Sequence, residues 1–129
     1  MRRKILVVDD DADIVELLSF NLKKAGFVIG TAVNGIEALK KVRSMSPDLV
    51  VLDLMLPEMD GFAVCETLRR HADTARLPVI MLTAVSGELG RMSGLDCGAN
   101  DYITKPFSPK ALVSKVEALL KKQDSPRLA

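Results

Sequence analysis

The chain has 129 residues, 48% hydrophobic and 27% charged, and its 18 Lys and Arg against 17 Asp and Glu leave a net charge of +1. That composition suits one compact domain with a continuous core and is too apolar for a disordered chain. It shows nothing of the basic excess of a dedicated nucleic-acid binder. No apolar run reaches the length of a membrane span, and the start MRRKILVVDDD meets acids too soon for a signal peptide. A cytoplasmic location is expected, with no membrane partner and no direct nucleic-acid binding by this chain. Cys65 and Cys97 form no CxxC or zinc spacing and read as reduced thiols, Cys65 facing a core and Cys97 beside a turn glycine.

KILVV (4–8) is an apolar run of strand length, and Ile14, Leu17, Leu18, Leu22 and Ala25 follow at helical spacing until Gly26 ends the helix. FVIGTA (27–32) is a second, weaker strand. Asn34, with Glu37 three residues on, marks a helix start, and Ala38, Leu39 and Val42 give its apolar stripe. Pro47 ends that helix before DLVVL (48–52), the third strand. Asp60-Gly61 opens a helix carrying Val64, Cys65 and Leu68, and LPVIMLT (77–83) is the fourth strand. The segment SGELGRMSGLDCG (86–98) is helical by position. Each interior glycine there costs about 0.5–1 kcal/mol relative to alanine, which makes this the least rigid helix. DYIT (101–104) is a short fifth strand. Ser108-Pro109 then supplies an N-cap and a first-turn proline for a last helix striped with Leu112, Val116, Leu119 and Leu120.

Continuous apolar strands alternating with helices indicate a parallel sheet covered on both faces. The expected fold is an α/β, three-layer, doubly wound (βα)5 sandwich with a five-stranded parallel sheet. One domain spans residues 1–122, and residues 123–129 are a polar tail or the start of a linker.

The stretch LVVLDLMLPEMDG (49–61) sets Asp53 directly behind an apolar run. An isolated buried carboxylate costs several kcal/mol or shifts its pKa until it neutralises. In doubly wound folds, ligands bind at the carboxyl ends of the strands. Strand one ends in Asp9-Asp10-Asp11, strand three in Asp53, strand four in Thr83, and strand five leads to Lys105-Pro106. Two unit charges ~4 Å apart interact by about 1–4 kcal/mol at effective dielectrics of 80 to 20, so converging carboxylates call for a divalent cation. Oxygen donors without His or Cys nearby favour Mg²⁺ over zinc. A lysine and a hydroxyl flanking that cation suit a phosphoryl group.

Four blocks, VVDDD (7–11), DLVVLDLMLPEMDG (48–61), PVIMLTA (78–84) and GANDYITKPFSP (98–109), together resemble the response-regulator receiver domain, the CheY-like family, over residues 3 to about 122. The resemblance implies the flavodoxin-like strand order 2-1-3-4-5. It also implies a phosphorylation-activated signalling switch in a two-component phosphorelay. Asp53 would take a phosphoryl group from a sensor histidine kinase or phosphotransfer protein and become an aspartyl phosphate. Asp10 would ligate Mg²⁺ directly and Asp9 largely through water, with Asp53 and the backbone carbonyl of Met55 completing the metal set. Lys105 would pair with the phosphoryl oxygens, and the family holds the bond to Pro106 in cis. Thr83 and Tyr102 would form the switch, the hydroxyl moving to the phosphoryl group and the ring packing inward. Asp11 matches no such role and reads as a solvated charge at a helix start.

The stretch GANDYITKPFSPKALVSKVEALL also resembles receivers that precede a winged-helix DNA-binding domain. In those, charged pairs across the face of the fourth helix, fifth strand and fifth helix hold an active homodimer. Arg91, Asp101, Lys110, Lys115 and Glu117 supply charges here. Ala111 stands where a glutamate is usual and Lys115 where an arginine is usual, so at least one expected pair cannot form. Two other readings compete. A Mg²⁺-dependent aspartyl phosphatase of the haloacid-dehalogenase type carries its nucleophile as DxD on the first strand, unlike Asp53. A pseudo-receiver scaffold is never phosphorylated, and the complete set Asp9, Asp10, Asp53, Thr83 and Lys105 argues against it. The chain is thus expected to catalyse its own phosphorylation and dephosphorylation without being a conventional enzyme.

Overall fold

A computed structural model of the chain describes residues 2–83, 98–105 and 107–124. The elements in order are β1 (Lys4–Val8), α1 (Ala12–Lys24), β2 (Val28–Ala32), α2 (Gly35–Met45), β3 (Leu49–Asp53), α3 (Gly61–Arg70), β4 (Val79–Thr83), β5 (Asp101–Thr104) and α4 (Pro109–Asp124). Residues 86–97 of the expected glycine-rich helix, with Arg91 and Cys97, lie outside the described residues, as do Pro106 and residues 125–129. The last helix runs to Asp124, past the expected boundary at residue 122.

The five strands are all parallel, in the order β2-β1-β3-β4-β5, which is the expected 2-1-3-4-5 topology. Successive strand residues face opposite sides of a sheet, and the apolar runs therefore feed two cores. Leu6, Val8, Val50, Leu52, Val79 and Met81 pack with Ala38 and Val42 of α2 and Val64, Cys65 and Leu68 of α3. Ile5, Val7, Leu49, Val51, Ile80 and Leu82 pack with Leu18 and Leu22 of α1 and Leu112 and Val116 of α4. This explains why the central strands read as unbroken apolar runs: both faces are buried.

The strand ends differ from the sequence expectation for identifiable reasons. Phe27 is not in β2, because its N–H still closes on Leu22 O at 3.1 Å as part of the helix terminus. Asp48 precedes β3, where its carboxylate accepts the Lys4 N–H at 2.8 Å. Asp53, expected just beyond the strand, is its last residue and pairs in register with Leu82. Helix starts are capped by acceptors: Asp11 on α1, Asn34 on α2 and Asp60 on α3 each accept N–H groups of the first turn. The solvated helix-start charge expected at Asp11 is this cap.

At the end of the sheet where strands begin, Arg69 joins three segments. Its guanidinium donates to Gly98 O at 2.9 Å, Thr74 O at 3.2 Å and Asn100 Oδ1 at 3.0 Å. The same Asn100 oxygen accepts the Val79 N–H at 2.9 Å. Gly98 lies at φ +93, and a Cβ there would come within 2.9 Å of the Arg69 stem, so glycine is required beneath the arginine. The clamp fixes where the chain re-enters the sheet as β5. Replacing Arg69 with Leu is expected to cost about 1.5–3 kcal/mol in urea unfolding. Lysine should recover less than half of that, because one ammonium cannot span the three acceptors; full recovery by lysine would show that charge alone matters.

Candidate functional site

The site lies at the opposite end of the sheet, where β1, β3, β4 and β5 deliver their following residues together. Asp9 leaves β1 with its N–H bonded to Ala32 O at 3.2 Å and is fully buried. Its Oδ1 accepts the Asp11 N–H at 2.9 Å, which turns the chain into α1 and leaves Oδ2 for the site. Asp53, 3% exposed, ends the central strand, and its Oδ1 accepts the Met55 N–H at 3.1 Å. Lys105 follows β5, placed by its N–H to Thr83 O at 2.7 Å. Its ammonium stands 3.2 Å from Asp9 Oδ2 and 3.4 Å from Asp53 Oδ2.

Asp10 is exposed, yet carboxylate oxygens of Asp9, Asp10 and Asp53 all lie within 4.8 Å of one another. Thr83 is buried at the end of β4, opposite Thr104, and one residue past the Leu82 that faces Asp53. Tyr102 lies further back along β5, level with Met81, and is partly buried against the α2–α3 core. The Met55 side chain is 67% exposed, leaving its backbone as the part turned toward Asp53. Of the residues expected at the site, Asp9, Asp10, Asp53 and Lys105 are in direct proximity, Thr83 joins through the β4–β5 register, and Tyr102 sits away from the rim. Pro106 is outside the described residues.

From the sequence, Lys105 is expected both to help keep Asp53 ionised and to serve phosphoryl oxygens; its ammonium bridges Asp9 and Asp53. One feature went unread in the sequence. Gly61 read only as a helix opener, whereas a Cβ on it would come within 2.5 Å of Asp53 O and 2.9 Å of Leu54 Cα. The start of α3 thus rests directly on the backbone that carries Asp53, and Gly61 N–H donates to Leu54 O at 3.0 Å. The signal was present in Asp60-Gly61, but a glycine needed for close approach looks the same in sequence as one needed for a turn.

Residues 5–117 match the response regulator receiver domain family. The chain belongs to that family. This receiver is 48% identical over 124 residues to the alkaline phosphatase synthesis transcriptional regulatory protein PhoP of Bacillus subtilis, covering 96% of this chain and 51% of that protein. It is 49% identical over 124 residues to the DNA-binding response regulator MtrA of Mycobacterium tuberculosis, covering 96% and 53%. The chain therefore spans about half the length of the curated relatives it matches. Among solved structures, the receiver domain of Francisella response regulator 1452 superposes with a TM-score of 0.89 at 33% identity, covering 95% of this chain and all of that one. The chemotaxis response regulator CheY4 of Vibrio cholerae gives 0.87 at 30% identity, covering 92% and 99%. These matches make the receiver part of two-component signalling and agree with the expected fold.

The electrostatics follow from the geometry. Burial is the largest influence on Asp53 and raises its pKa; the Met55 N–H opposes it, the Asp9 charge adds to it and Lys105 opposes it. The result is about 6 against an ordinary 3.8. Burial alone would lower the Lys105 ammonium, but the carboxylates of Asp53 and Asp9 outweigh it and hold the group above its ordinary value. Lys105 by itself therefore leaves Asp53 harder to ionise than a free aspartate.

A raised carboxylate opposes folding when ionised. Below pH 3.8 the Asp53 carboxyl is protonated folded or unfolded and contributes nothing. As pH rises through about 6 the unfolded chain has already released a proton that the folded one still holds, so stability falls across that window and stays lower above it. In chelator-treated protein, Asp53→Asn is expected to raise stability by about 1–3 kcal/mol at neutral pH. The gain should shrink toward zero near pH 4, as read by chemical denaturation. An equal gain at both pH values would mean that the aspartate's charge is not what strains the site.

Proposed function

We propose that Asp53 is the phosphoryl acceptor of this receiver and that a sensor histidine kinase or phosphotransfer protein is the donor. The observation that carries the reading is one nearly buried carboxylate at the end of the central strand, touched by a lysine and grouped with two further aspartates. In the transfer, an Asp53 carboxylate oxygen forms a bond to phosphorus, the bond from phosphorus to the partner's imidazole nitrogen breaks, and the imidazole keeps that electron pair and takes a proton. The product is an acyl phosphate on Asp53.

The donor set fits Mg²⁺. It is made of oxygens, two of its carboxylates are buried, and Asp10 at the rim is open to solvent. Asp10, Asp53 and the Met55 carbonyl would hold the ion, with Asp9 acting largely through water. The bound cation supplies positive charge to offset the clustered carboxylates and the phosphoryl oxygens. Lys105 would then shift part of its attention from Asp9 and Asp53 to the phosphoryl group. Thr83 would turn its hydroxyl to the same group, and Tyr102, already partly sheltered, would move further inward.

The receiver would occupy residues 1–122, its last helix running on to Asp124 before the tail or linker to residue 129, and would act as a switch in place of a turnover enzyme. A homodimer through the β5–α4 side is a further reading. Within one chain Lys115 already holds Asp101 at 3.0 Å, so an intermolecular pair would have to displace that contact.

Incubation with a small phosphodonor and Mg²⁺, followed by intact mass, tests the reading. One phosphate adduct is expected, lost in Asp53→Asn and suppressed by chelator. Mg²⁺ alone should raise the unfolding free energy by about 3 kcal/mol at a hundredfold excess over its dissociation constant, with most of that effect lost in Asp10→Asn. No adduct would favour an unphosphorylated scaffold, and continuous phosphate release over many turnovers would favour a phosphatase.

A further inference from the structure

The net charge of +1 hides a separation of charge along the strand axis. All strands are parallel, so each helix returns in the opposite sense and ends at the base of the sheet, away from the acidic site. There α1 ends in Lys23 and Lys24, α2 in Arg43, α3 in Arg70 beyond the clamping Arg69, and α4 in Lys121 and Lys122. Arg2 and Arg3 lead into β1, and Arg76 lies in the connection to β4. Among the described side chains, the carboxylates at this end are Asp48, Asp73 and Asp101. Arg3 holds Asp48 at 3.5 Å and Lys115 holds Asp101 at 3.0 Å, while Glu66, one turn inward, lies 3.8 Å from Arg70. Of the remaining described acids, Asp9 to Asp13, Glu37 and Asp53 to Asp60 lie at the far end, Glu16 and Glu117 lie part-way along α1 and α4, and Asp124 is the last residue of α4.

Cations in a last helical turn complement the macrodipole, but each helix end amounts to only about half a negative charge. With Arg69 taken up by its clamp and Arg3 by Asp48, two of the four helices, α1 and α4, still bring two lysines each to that half charge, and Arg2 and Arg76 answer to no helix end. We propose that this base is a contact surface for the phosphate backbone of duplex nucleic acid, bound without regard to sequence. A duplex presents one negative charge per ≈1.7 Å of axis, and a row of exposed lysines and arginines from separate elements can meet several at once. A membrane surface suits the base less well, since such surfaces pair cations with inserted apolar side chains. Among the described residues, the exposed large apolar side chains lie mostly elsewhere: Val33, Ile36 and Met55 are toward the acidic end and Leu17 and Phe20 on the flank of α1, with Val28 at the base. The proposal is independent of the acceptor chemistry at the other end.

The test is fluorescence anisotropy of the 129-residue chain with a labelled duplex of arbitrary sequence. A dissociation constant of about 10⁻⁵ M is expected at about 50 mM salt, weakening by roughly 100-fold by about 200 mM if four phosphates are neutralised. Replacing Lys23, Lys24, Lys121 and Lys122 together by glutamine should weaken binding at least about tenfold and flatten that salt slope. Lys110→Gln, an exposed change at the start of α4, should leave both unaltered, and circular dichroism checks that each variant is folded. Three results overturn the proposal: no binding at low salt, equal loss in the Lys110 control, or anionic lipid vesicles bound as tightly as the duplex.

Discussion

The Lys105 ammonium lies 3.2 Å from one buried carboxylate and 3.4 Å from another, and those carboxylates come from β1 and β3. Asp53 in that setting is driven toward neutrality by burial. Holding both requires a cation that arrives from a third direction, and Lys105 can arrive only because β5 is registered against β4 and closes its N–H on Thr83 O. The strand order, the register and the placement of Thr83 are thus conditions for a single three-way contact. The contact is also incomplete, since Asp53 still sits near pKa 6. That shortfall of positive charge is what the proposed metal ion and phosphoryl chemistry would draw on.

The fold was largely legible in the sequence because the pattern was redundant. Unbroken apolar runs at 5–8, 49–52 and 79–82 could only be strands covered on both sides, and Gly26, Asn34 and Asp60 marked their helical neighbours without ambiguity. Strand ends were read less well because they are decided by single hydrogen bonds, such as the Asp48 carboxylate on Lys4 N–H. For the candidate site, strand ends brought Asp9, Asp10, Asp11, Asp53, Thr83 and Lys105 to one edge, and the roles expected of them came from the family resemblance. What periodicity could not convey was pairwise distance. The Lys105 bridge joins residues 96 apart in sequence, and the seat of Gly61 against Asp53 depends on the angle at which α3 leaves its loop. Summed charge concealed more, because a near-neutral total says nothing about which end of a parallel sheet each charge reaches.

The two ends of the sheet are organised differently. At the acidic end, carboxylates of Asp9, Asp10 and Asp53 stand close together, and their repulsion is only partly relieved by Lys105. At the base, hydrogen bonds are saturated: the Arg69 fork, the Asn100 carboxamide and Gly98 lock α3, β4 and β5 to one another. The crowding of carboxylates at one end is thus set against a base whose strands are tied together by the Arg69 and Asn100 hydrogen bonds.

The sheet also divides the interior into two separate cores, one shared with α2 and α3 and the other with α1 and α4. Neighbouring strand residues answer to different helices, so a lineage can rewrite one layer while the other stays as inherited. A change in one pair of helices can thus be absorbed by its own core, while the strand ends that carry Asp9 and Asp53 stay held from the other face.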